Sequence, residues 1–179
     1  MRALIVILVT FLVSTAVFAL HDTYAVGDNF SVLFATQRAE GNLYGLRGTV
    51  IFDPGQLSSA SVDVTVDAST ISTGNDAKDR HARGGSWLDV DNHPAISFNS
   101  EAFTAREGGF LAKGRLTLRG VDRAVTIPFG YEEARDNSPA TLTGSFEVNR
   151  HDYGIDGPAL VGGLVGDEVT VTLRVPVTK

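Results

Sequence analysis

Cysteine is absent from the 179 residues, and that one absence removes several classes of protein together. Thiol redox chemistry is excluded, no disulfide can staple the fold, and no N-terminal cysteine exists to carry a lipid anchor. A single domain without covalent staples must therefore bury enough core to stand alone. Basic charge is also scarce: 15 Lys and Arg stand against 21 Asp and Glu, a formal net charge of −6. Such a chain repels phosphate backbones, which argues against a nucleic-acid partner. Internal repeats and linkers are missing too, so one domain accounts for the chain.

Among what is there, Met1-Arg2 leads into an apolar run from Ala3 to Ala19 that ends Val17-Phe18-Ala19. One basic residue, an apolar stretch and a small-x-small ending are the pattern of a secretory signal peptide, residues 1–19. The rival reading, an uncleaved anchor, sits at the short limit of the roughly 17–25 apolar residues a spanning helix requires. Cleavage leaves residues 20–179 as a soluble, periplasmic or secreted domain beginning at Leu20 or His21. Loss of Arg2 takes the basic side chains to 14 against 21 acidic ones, a net charge near −7.

Through this domain apolar residues alternate with period two, the mark of strands with one buried face. Leu46, Val50 and Phe52 share a face with Gly48. Val62, Val64 and Val66 share another, as do Ile96 and Phe98 after Pro94. Ala112, Gly114, Leu116 and Leu118 precede Val125, Ile127 and Phe129; Leu142, Gly144, Phe146 and Val148 follow, and Val169, Val171, Leu173 and Val175 close the chain. With weaker strands at Tyr24–Val26 and Ser31–Ala35, about eight strands are expected. Turn residues at Asp53-Pro54-Gly55, Glu107-Gly108-Gly109, Arg119-Gly120-Val121-Asp122 and Asp136-Asn137-Ser138-Pro139 join neighbours by hairpins, which gives antiparallel pairing. Glycines on the apolar faces favour tightly bent strands, and no Cys…Trp…Cys arrangement points to an immunoglobulin sandwich. The expected fold is all-β, a single antiparallel barrel, whose interior at this strand number holds side chains or one small ligand.

One short helix interrupts the strands between Asn75 and Arg83, with Asn75 or Asp76 as cap, Asp79 and Arg83 spaced for an i,i+4 pair, and Gly84-Gly85 as the stop. Two turns are marginal alone, so the helix must pack on the barrel through Ala77, His81 and the following Trp87. There it covers one end and is placed to gate access.

No constellation demands catalysis. Gly84-Gly85-Ser86-Trp87-Leu88 lacks the last glycine and the strand-to-helix setting of a nucleophile elbow. Asp89, Asp91 and His93 alternate as strand-borne metal ligands would, but they read better as a solvated turn before a Pro-started strand, and they fail a calcium-loop pattern. No carboxylate is fixed beside His81. Arg150 and Asp152 flank His151 and read as a rim ion pair or as contacts to a ligand's polar head. The apolar stripes suit a filled core or a hollow one equally.

The strings Ser69-Thr70-Ile71-Ser72-Thr73-Gly74-Asn75, Trp87-Leu88-Asp89-Val90, Pro94-Ala95-Ile96-Ser97-Phe98, Gly114-Arg115-Leu116-Thr117-Leu118-Arg119-Gly120-Val121, Asn149-Arg150 with Tyr153-Gly154-Ile155, and Val165-Gly166-Asp167-Glu168-Val169 resemble, in order and spacing, the YceI-like family of polyisoprenoid- or lipid-binding periplasmic proteins. The resemblance implies a lipocalin-like barrel that sequesters or carries an isoprenoid or similar amphipathic lipid, of quinone or polyprenyl type. No metal and no cofactor other than such a ligand are expected, transient membrane contact is expected, and the alternatives for assembly are a monomer or a homodimer. The resemblance implies no catalysis. It differs at the first core strand, where this chain reads Asp28-Asn29-Phe30-Ser31-Val32-Leu33-Phe34 in place of the family's His-Ser opening. The expected cavity lining is Phe34, Leu46, Val50, Phe52, Val64, Trp87, Ile96, Phe98, Leu116, Leu118, Ile127, Phe129 and Phe146, with Arg150 and Asp152 at the head group or rim. The alternative is a non-enzymatic structural or interaction module with a filled barrel.

Overall fold

Ten strand segments occur in the computed structural model, which describes residues 23–136, 138–159 and 165–178. Residues 1–19, read above as a signal peptide, lie outside the described residues. The segments are β1 Thr23–Val26, β2 Ser31–Ala35, β3 Glu40–Leu43, β4 Arg47–Ile51, β5 Ser61–Asp67, β6 Ala95–Arg106, β7 Gly109–Leu118, β8 Val121–Glu132, β9 Ala140–Asn149 and β10 Glu168–Thr178; the helix α1 is Asp76–Arg83. All pair antiparallel in one sheet, in the order β1-β4-β5-β6-β7-β8-β9-β10-β2-β3, and β1 also pairs with β10, which closes it.

Ten segments make a barrel of eight strands because two of the strands are broken. β1 and β2 lie in sequence along the same edge of β10, with Val26 opposite Val177 and Ser31 opposite Arg174. The break between them includes Asn29, at φ 62°. β3 and β4 form the next strand, broken at Tyr44-Gly45-Leu46. β3 was not foreseen, since Glu-Gly-Asn-Leu has no alternation to read; it is held by pairing with β2 and by a bridge from Asn42 to Ser72.

The turns act as their residues require. Arg119 and Gly120, both at positive φ (50° and 71°), form the two-residue loop between β7 and β8, the backbone that matches strand twist. Gly114 lets β7 pass close under β6, because a Cβ there would stand 2.3 Å from the Asn99 carbonyl oxygen. In β6 the register slips between Ser100 and Ala102. This bulge reverses the alternation, so Phe103 points inward on the same side as Phe98.

The barrel has two unlike ends. Where β4, β6 and β8 finish, aromatic rings fill it: Phe52 stands 5.0 Å from Phe110 and Tyr131, 5.2 Å from Phe129 and 5.9 Å from Phe103, centroid to centroid. All four contacts are tilted or edge-on, as ring quadrupoles prefer. At the opposite end, where β5, β7 and β9 finish, lie α1, the connection 84–94 and residues 150–159 and 165–167. That end is hollow.

Candidate functional site

Inward side chains of β5 to β10 and β2 enclose, in the hollow end, a cavity of about 700 Å³. That volume is in the range of pockets that take one small ligand. Its wall is overwhelmingly aliphatic and aromatic, with Val62, Val64 and Val66 from β5 facing Val169, Val171 and Leu173 from β10. Phe103 and Phe129 serve both ends: they line the floor and belong to the aromatic cluster.

Phe34, Leu46, Val64, Trp87, Ile96, Phe98, Leu116, Leu118, Ile127, Phe129 and Phe146 all stand on this wall. Val50 and Phe52 do not, and their expected place on the lining is corrected. Both point inward as their alternation requires, but they lie in the filled end, 2% and 4% exposed. Alternation says which face a residue takes, not how far along the barrel space remains. Phe103 was missed for the converse reason, since only the polar pair Ser100-Glu101 hints that the period breaks there. The β10 residues Val169, Val171 and Leu173 were legible as an inward set and line the cavity as well.

The rim is built around α1. Asn75 caps the helix, its Oδ1 accepting from the Ala77 and Lys78 amides. Asp79 and Arg83 do not pair with each other as their spacing suggested. Instead Asp79 accepts from the Thr73 hydroxyl (2.6 Å) and amide (2.7 Å), and Arg83 donates to the Ile71 carbonyl (3.0 Å). These bonds tie the helix to the segment bridged to β3. The Thr73 hydroxyl and then its amide hold the Asp79 carboxyl below its ordinary pKa. With that side fixed to the segment, Lys78, His81 and Ala82 border the cavity. Ala77 is exposed, contrary to the expected packing.

Arg150 and Asp152 part company. Residues Arg150–Tyr153 form a 3-10 turn rather than a strand, and in such a turn side chains three apart eclipse. Arg150 and Tyr153 therefore both turn inward (3% and 2% exposed), while His151 and Asp152 face out. Asp152 stands off the cavity wall, and its backbone carbonyl accepts from Arg123. Arg150 reaches the wall, with its guanidinium 5.8 Å from the Trp87 ring centroid. It donates to the carbonyls of Gly166 (2.7 Å) and Ile155 (2.5 Å) and pairs with Asp167 (3.1 Å). His151 stands between Asp156 (2.6 Å) and Asp167 (2.9 Å), and hydrogen bonds to these two carboxylates raise its pKa. Arg150 thus ties Ile155 to Gly166 and Asp167 at the rim. Arg119, in the β7–β8 loop, ties two connections together, donating to the carbonyls of Gly85 (2.7 Å) and Gly154.

The turn Asp89-Val90-Asp91-Asn92-His93 does not gather metal ligands. Asp89 accepts from the Asn92 amide nitrogen (3.0 Å) and stands 3.9 Å from His93, whereas Asp91 is exposed. Among the described residues no group of three such side chains converges.

Comparison with known proteins agrees with this geometry. The profile of the YceI-like domain matches residues 19–177. A UPF0312 protein of Pseudomonas paraeruginosa is 31% identical over 127 residues, and the alignment spans 66% of each chain. A UPF0312 protein of Yersinia pestis is 30% identical over 87 residues, 49% of this chain and 45% of that one. Among solved structures, BcnA of Burkholderia cenocepacia superposes with a TM-score of 0.78 at 22% identity, covering 86% of this chain and 99% of BcnA. The YCEI protein of Campylobacter jejuni gives 0.67 at 15% identity over 93% and 92% of the two chains. A polyisoprenoid binding domain from Saccharophagus degradans gives 0.59 at 9% identity over 87% and 92%. At these identities the structures speak for the fold.

Proposed function

The chain belongs to the YceI-like domain family, and from that membership and the hollow half of its barrel we propose that it is a non-catalytic binding protein for an amphipathic lipid. The observation that carries this reading is the apolar cavity of about 700 Å³, open toward the end that bears α1. A filled structural module has no use for such a void, because unfilled apolar space costs stability. The Saccharophagus domain, named for binding polyisoprenoids, supports an isoprenoid tail of quinone or polyprenyl type. Burying a methylene group is worth about 0.8 kcal/mol, so ten supply on the order of 8 kcal/mol gross before the costs of association. A tail therefore needs no special polar contact to bind. We read the N-terminal run as a signal peptide and place the protein in the periplasm or outside the cell, where it would carry its lipid between membranes.

Native mass spectrometry of the protein purified from its own cells without detergent tests the reading. A co-purifying lipid mass, or one-to-one uptake of added polyprenol or quinone by extracted protein, is the expected result. A clean apo mass that takes up neither overturns it.

A further inference from the structure

Among the described residues the charged groups on the cavity wall are all of one sign. Among the described residues the wall includes Arg38, Lys78, Arg80 and Arg150, with His81 beside them, and no Asp or Glu. In a chain with 21 acidic against 15 basic side chains, this is opposite to the overall balance. The two carboxylates of α1 do not offset it: neither Asp76 nor Asp79 reaches the wall, and Asp79 is turned into Thr73.

The four cations are not equivalent. Arg150 is buried and engaged by Gly166, Ile155 and Asp167. Arg38, Lys78 and Arg80 are exposed at the mouth, and among the described residues no hydrogen bond or ion pair holds the charged end of any of them. They come from two separate segments, the β2–β3 turn and α1, which the Asn42–Ser72 bridge and the Thr73–Asp79 bonds hold to a common frame. Cationic groups unpaired at the lip of an apolar chamber leave their attraction to be met from outside. A neutral quinone or alcohol head would not use it.

We propose that the preferred ligand is an amphiphile with an anionic head, a phosphate ester or carboxylate, whose tail fills the cavity while Arg38, Lys78 and Arg80 hold the head at the mouth. This inference rests on the lipid-binding reading above and adds the charge class of the ligand. The tail supplies most of the affinity, and the three cations select among heads. Since they are solvent-exposed, each contributes modestly and is weakened by salt.

The test compares farnesyl monophosphate, farnesol and inorganic phosphate by calorimetry on the delipidated protein, wild type against the R38Q/K78Q/R80Q variant. The expected result is that wild type binds farnesyl monophosphate about tenfold or more tightly than farnesol, and inorganic phosphate not measurably. The variant loses that advantage and keeps farnesol affinity within about twofold, at an unchanged melting temperature. Raising the salt from about 50 to 500 mM weakens phosphate-ester binding in wild type and leaves the variant unmoved. Equal affinity for both isoprenoids in wild type overturns the head-group selection while leaving the lipid carrier intact. Tight binding of inorganic phosphate overturns it by showing a small-anion site. Binding of no probe overturns both readings.

Discussion

If the barrel is filled at one end and hollow at the other, removing a phenyl ring should cost very different amounts in the two places. Phe52 is 4% exposed and meets four other rings at centroid distances of 5.0 to 5.9 Å. Phe52→Ala deletes the hub of that cluster, and Phe→Ala in a packed core costs about 3–5 kcal/mol from lost transfer energy plus the void left behind. Phe146 projects from β9 into the cavity, so its ring already borders open space. Phe146→Ala enlarges an existing chamber, and because the ring is half-buried the loss is about half of the roughly 1.5–3 kcal/mol that full burial of such a side chain is worth. For a domain of this size each kcal/mol moves Tm by about 2–4 °C. The expected drops are therefore about 6–20 °C for Phe52→Ala and under about 6 °C for Phe146→Ala, read by calorimetry on lipid-free protein and checked by urea midpoints at constant slope. Lipid uptake should survive the first change and weaken with the second. Equal destabilisation by the two substitutions refutes the division of the barrel into a packed and an open half.

Two further predictions concern the rim. Asn75→Ala removes the acceptor for two amides of α1, a loss of about 1 kcal/mol that falls on an end of the barrel the filled half does not depend on. Farnesol transfer to acceptor vesicles should accelerate more than Tm declines, and an unchanged transfer rate counts against α1 as the gate. His151 has a raised pKa in the folded protein, held first by Asp156 and then by Asp167. Its contribution to stability is full below about pH 6.5, the value of an unperturbed histidine, and is lost as pH rises through the folded value. A proton-NMR titration should place its midpoint above 6.5, and His151→Gln should flatten stability across that window; a midpoint at or below 6.5 removes the argument.

Most of the fold was legible because sheet alternation is a local signal with a period of two residues. β5, β7, β8, β9 and β10 each hold an uninterrupted apolar set, and each was read on its correct face. Legibility failed where the backbone departs from regular strand. β3 holds its place through pairing and the Ser72 bridge rather than through any pattern of its own, and those partners are distant in sequence. The β6 bulge inverted one strand's parity and hid Phe103. At Arg150–Tyr153 an alternating reading placed Asp152 with Arg150, whereas the 3-10 turn pairs Arg150 with Tyr153 instead.

Position along the barrel axis is a different kind of information from choice of face, and it decides which inward residues can meet a ligand. Phe52 and Phe98 are both phenylalanines on inward faces, and nothing local to either says that one plugs the barrel while the other borders a chamber. The distinction is collective: Phe52, Phe103, Phe110, Phe129 and Tyr131 come from β4's end, β6, β7 and β8, and only closure brings them to one level. At the other level β5 and β10 contribute mainly Val and Leu, side chains too short to cross the interior. The cavity is thus set by where the cluster of packed rings ends, and that boundary lies at Phe103 and Phe129, the residues common to both ends. By that reasoning, a larger side chain introduced above this boundary, as in Leu116→Trp, should shorten the chamber with little loss of stability, whereas one introduced below it would overpack.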